Sequence, residues 1–151
     1  MSTLFATLLV LHVVTGLIAV FASFAVSLGI LKKIPEFASV LRAALLACIM
    51  YILSWFSGGW YYWKYYGGVV KTSIMNGDYR WAHAIFTESK EHVFLFLPIA
   101  SLALYLAIRY MNDEMLGNPA LKRSITALSV IVTVIGTIIT LSGVLITGGA
   151  R

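Results

Sequence analysis

Charge is what this chain has least of. Charged residues make up 11% of its 151 positions, where soluble domains run at about 25%. Only six residues are acidic, and no two form a carboxylate pair inside an apolar run. A nucleophile elbow, a P-loop and an HExxH helix are all missing, so neither a self-contained hydrolase nor a pump has its machinery here. There is one cysteine, Cys48. It lies within an apolar run and excludes an intrachain disulfide, a CxxCH attachment motif and a cysteine zinc cluster. The N-terminus lacks the basic region of a cleaved leader, and its apolar run is too long for one, so it is expected to stay as a mature helix. No unit of 20–50 residues repeats.

What the chain has instead is hydrophobic length. Its composition is 60% hydrophobic and its mean hydropathy is +0.91. About 20 apolar residues, at 1.5 Å each, cover the roughly 30 Å hydrocarbon core of a bilayer. The expected fold is all-α: an integral membrane four-helix bundle, up-down-up-down, forming a single membrane domain over 1–151. An interfacial helix or structured loop is expected between spans 2 and 3. The formal charge of +5 needs no nucleic-acid partner, because Lys and Arg gather at helix ends and meet headgroups. The expected surroundings are a lipid bilayer, a bacterial or archaeal cytoplasmic membrane, with other membrane subunits or further copies of the chain.

Four spans are predicted, at about 4–31, 43–63, 88–109 and 125–148. The first carries His12 and a stripe of small residues at helical spacing: Thr15 or Gly16, Ala19, Ser23 and Ser27. Such stripes let helices, or a flat cofactor, approach closely. The second ends in aromatics: Trp60-Tyr-Tyr-Trp63, then Tyr65 and Tyr66, after Ser57-Gly58-Gly59. Tyr and Trp favour the membrane–water boundary, so this reads as an aromatic belt; the sharper alternative is a stacking wall for a cofactor or quinone. In the third, Val93 to Ile108 is about 24 Å of helix, too short for the core unless it borrows from Glu88–His92, and Pro98 should kink it. Gly117-Asn118-Pro119 marks a turn. In the fourth, Thr126, Ser129, Thr133, Gly136, Thr140, Gly143 and Thr147 recur in steps of three and four. That face reads as a helix-packing seam.

Four spans put both termini on one side. Loops one and three carry Lys32, Lys33, Arg42, Arg109, Lys122 and Arg123; the other side carries Lys64, Lys71, Arg80, Lys90 and Arg151. The short connections hold Lys32, Lys33, Lys122 and Arg123, which favours both termini outside.

The chemistry concentrates in the stretch from Trp81 to Pro98, which holds two of the three histidines. His12 and His92 fall at similar depth on spans one and three, which run parallel in this topology. Ionisable groups in membrane helices point inward. The pair could therefore ligate one haem iron axially or share a metal ion; a proton or quinone role is the other functional reading. The bland one has His12 bonding a seam hydroxyl and His92 at the interface. Three histidines admit at most one bis-histidine haem. Glu88, four residues before His92, shares its face and could fix its tautomer or serve as a ligand. His83, nine residues before His92, falls on the opposite face of one continuous helix. A break at Thr87-Glu88 would instead gather His83, Glu88 and His92 with His12 in a site for zinc, copper or non-haem iron.

In its bundle plan and its His12/His92 pair the chain resembles four-helix membrane b-type cytochromes and the haem-bearing anchor subunits of respiratory complexes. The resemblance implies electron transfer through one haem b held by His12 and His92, near the outer face, with a quinone at its edge. Trp60 and Trp81 are then the expected cofactor-contacting aromatics. The alternatives are a non-catalytic accessory subunit of a larger membrane complex, and a non-haem metal protein using His83, Glu88 and His92.

Overall fold

The computed structural model describes residues 2–32, 37–72, 93, 95–111, 114 and 117–149. The chain is all-α, with four helices packed together: α1 (Thr3–Leu31), α2 (Phe37–Tyr61), α3 (Phe96–Tyr110) and α4 (Pro119–Gly149). α2 continues as a wider, π-helical stretch over Tyr62–Val70. Each helix packs on its sequence neighbours, and α4 closes the ring against α1.

Side-chain partners show the direction of each neighbour. On α1 and α2, Phe5 meets Tyr65, His12 meets Ser54 and Gly58, and Gly29 meets Val40. Positions fall on one helix as they rise on the other, so the two run antiparallel. Ser27 with Ser129 and Val20 with Gly136 give the same sense for α1 and α4.

Small residues make up much of the core, around the fully buried Leu104 and Ile108. Ala19, Val26, Ala44, Ala47, Ala100 and Val132 are buried, together with the hydroxyls of Ser23, Ser101 and Ser129. Many of the large apolar side chains point outward: Phe21 is 70% and Ile99 65% exposed. In water this arrangement would forfeit the burial energy of every such residue, about 1.5–3 kcal/mol each. In lipid it is the expected one, since helices there associate through small residues and close contact. α1, α2 with its continuation, and α4 are each long and apolar enough to cross a bilayer. This is the signature of an integral membrane protein.

Two helix starts explain differences from the expected spans. α4 begins at Pro119, not near 125, because Asn118 is its N-cap. Asn118 Oδ1 accepts from the amides of Ala120 (3.0 Å) and Leu121 (3.1 Å). Pro119, with no N–H to lose, takes the first helical position. The predicted turn at 117–119 is thus the threshold of the helix. α3 covers 15 residues, about 22 Å. Pro98 falls in the first turn of this described helix, a position where proline is tolerated. The expected extension of this span through 88–92, like the structured loop before it, lies outside the described residues.

Candidate functional site

His12 sits on the α2-facing side of α1, nine residues into the helix. Its ring is half-buried and lies against Gly58, where a Cβ would come within 2.6 Å of ring Cε1. One turn away, Gly16 faces Ser54 in the same manner, its missing Cβ 3.2 Å from the serine Oγ. Glycines at 16 and 58 therefore bring the two backbones close enough for His12 and Ser54 to interlock.

The interlock is specific. His12 Nδ1 lies 2.8 Å from the carbonyl oxygen of Ser54 and 3.0 Å from its Oγ, and Ser54 Oγ lies 3.0 Å from the carbonyl oxygen of His12. A carbonyl oxygen only accepts, so Nδ1 must carry the proton and donate it. The serine hydroxyl then donates to the His12 carbonyl. Every hydrogen is used once, and the Nε2-protonated tautomer would set two lone pairs facing each other at 2.8 Å. Nδ1 is thereby the donating nitrogen of this contact. Metal-ligating histidines commonly have one ring nitrogen held by a backbone carbonyl in this way.

Around the same end of the bundle the aromatics form a collar. Phe5 packs on Tyr65 (4.9 Å between centroids), Tyr61 on Tyr65 (5.5 Å), and Tyr62 stacks on Tyr66 (5.1 Å). Tyr66 is buried. Trp60 is 52% exposed and meets Trp63 edge to face at 5.9 Å, while Lys64 caps the Trp63 ring at 3.7 Å. Two residues beyond Gly58 is about 200° around a helix, so Trp60 and the His12 ring occupy opposite sides of α2. The structure does not bring these two predicted site residues together. Trp60 has the placement of a belt residue.

Of the other predicted site residues, Trp81, His83, Glu88 and His92 lie outside the described residues. Among the described residues no group of three or more His, Cys, Asp or Glu side chains could hold a metal ion.

A second polar centre lies further along, in the last third of α1. Ser27 Oγ is 2.9 Å from Ser129 Oγ and 3.2 Å from Thr133 Oγ1, which joins the α1 stripe to the α4 seam. One turn nearer His12, Ser23 Oγ reaches the hydroxyl of Tyr51 at 3.4 Å. That hydroxyl occupies the space a Cβ at Gly136 would need. The α4 face thus acts as the packing seam its spacing predicted.

No protein-family model, curated protein or solved structure matches this chain. The geometry stands alone.

Ser54, Gly58 and Tyr51 are contact residues that the sequence does not assign to the site. A signal existed for two of them, because Ser54 and Gly58 form a small-xxx-small pair. Only the pairing of that face with His12 was not readable.

Proposed function

We propose that this chain is a membrane electron-transfer subunit in which His12 and His92 would together hold a single b-type haem. The site sits near the outer face, with both termini on that side. A bound haem b supplies a one-electron couple between ferric and ferrous iron. The residues supply the rest of the site. Ser54 holds the His12 ring, Gly58 gives the ring its seat, and the aromatic collar from Tyr61 to Tyr66 shields this end of the bundle, at whose edge a quinone would sit. The observation that supports the reading is the 2.8 Å contact between His12 Nδ1 and the Ser54 carbonyl, the kind of backbone contact that orients a ligating imidazole.

One observation favours a second reading. The fit of the His12 ring over Gly58 is close enough to serve as a helix clasp without any cofactor. An accessory subunit of a larger membrane complex would use it that way.

An oxidised-minus-dithionite-reduced spectrum of the purified protein, with a pyridine haemochrome assay and metal analysis, separates these readings. A b-type α-band that disappears in both His12→Ala and His92→Ala is the expected result. A stoichiometric metal without haem would transfer the site to His83, Glu88 and His92. Neither haem nor metal, in protein purified with its partners, would leave the accessory subunit.

A further inference from the structure

At the end of the bundle opposite His12, the last turn of α1 and the first three turns of α4 border an open groove of about 600 Å³. Its floor is the buried Ile30, and its walls are Leu31, Ala127, Val130 and Ile131. At the helix-start end stand Lys122 and Arg123. From these cations to Val130 and Ile131 is eight residues of helix, about 12 Å, close to the roughly 15 Å depth of one leaflet. The groove has one cationic end and an apolar length, the shape of a single amphiphile.

The anion at that end cannot be recognised by the helix start itself. The amides of Ala120 and Leu121 are taken by Asn118 Oδ1, and that of Lys122 bonds the Asn118 carbonyl at 3.0 Å. Recognition falls to the side chains. Among the described residues, neither Lys122 nor Arg123 makes an ion pair or side-chain hydrogen bond. Lys32, exposed just beyond Leu31, adds a third positive charge beside the rim. Uncompensated cations over a lipid-facing apolar groove complement a headgroup of net negative charge and offer nothing to a choline.

We propose that this groove is a binding site for one anionic glycerophospholipid, its phosphate between Lys122 and Arg123 and an acyl chain along Leu31, Val130 and Ile131. The site rests on the membrane reading of the helices but not on the haem.

The test uses the full chain purified in a neutral detergent. Native mass spectrometry and thermal unfolding are followed with phosphatidylglycerol, with phosphatidylcholine of the same chains, and with inorganic phosphate. Phosphatidylglycerol should remain bound at one per chain and raise Tm. K122Q/R123Q should weaken it on the order of 25-fold, about fivefold per cation, while K122R/R123K retains it. Ala127→Trp, which fills the groove and keeps both cations, should also expel the lipid. Equal retention of phosphatidylcholine, unchanged binding in K122Q/R123Q, or the same Tm rise with inorganic phosphate would each overturn the proposal. Release of the chain from membranes by alkaline carbonate would overturn the membrane reading itself, separately from the lipid result.

Discussion

Gly58 and His12 share one volume. A methyl carbon at position 58 would lie 2.6 Å from the imidazole Cε1, so the ring occupies the room a side chain would take. Gly58→Ala must therefore push the ring aside or part the two helices. The expected loss is about 1–3 kcal/mol, the usual cost of overpacking, read as unfolding in detergent. Gly59→Ala is the control, since a Cβ there meets nothing within 4 Å. In a helix it should be neutral or gain about 0.5–1 kcal/mol. Equal stabilities for the two variants would rule out the tight seat.

Ser54 contributes through two different atoms. Ser54→Ala deletes the hydroxyl that donates to the His12 carbonyl at 3.0 Å but keeps the backbone carbonyl that holds Nδ1. Stability should fall by about 0.6 kcal/mol, the mean for interhelical bonds in a membrane. The imidazole tautomer should survive, as nitrogen-15 shifts of the ring would report. A switch to the Nε2-protonated form would show that the hydroxyl, not the carbonyl, sets it.

Tyr51 and Gly136 are matched in the same way across α2 and α4. Gly136→Ala should cost about 1–3 kcal/mol, because the added methyl meets the Tyr51 hydroxyl and lies 3.1 Å from Val20 Cγ2. Tyr51→Phe removes the atom in the way. In the double variant part of that loss should return, giving a coupling of about 0.5–3 kcal/mol in a double-mutant cycle. Strict additivity would mean the two residues do not meet.

Ser27 is the hinge pin between α1 and α4. Ser27→Ala removes contacts of 2.9 and 3.2 Å to Ser129 and Thr133, and about 1 kcal/mol should be lost, near the sum of two membrane hydrogen bonds. Ser124→Ala, whose hydroxyl bonds only its own helix at Ala120, should stay within about 0.5 kcal/mol. A Ser27 variant as stable as the Ser124 one would remove the hydroxyl centre from the account of packing.

Much of the bundle was readable residue by residue. The α1 stripe of Thr15, Ala19, Ser23 and Ser27 is buried as its spacing required, since a helix shows one face every three or four residues. The α4 seam delivered Ser129, Thr133 and Gly136 to partners for the same reason. α4 starts several residues before its apolar run, because hydropathy alone sets Lys122 and Arg123 outside the span. The Asn118 cap shows that they belong to its first turns, where long cations reach the headgroup level. Trp60 was grouped with the site on chemistry alone, and helical geometry sets it on the far side of α2 from Gly58.

The sequence by itself determined the class of this protein and the position of its apolar helices. Transfer into lipid is a sum over consecutive residues, and each residue contributes without reference to a partner. It also singled out His12, because an ionisable group in a greasy run is costly wherever the helix lies. Only the tertiary structure decided what His12 does with its ring nitrogens. The Ser54 carbonyl is 42 positions away in the chain, and no local pattern encodes the register that brings it to Nδ1. That register follows from how closely α1 and α2 can approach at Gly16 and Gly58, a steric property that neither helix has alone.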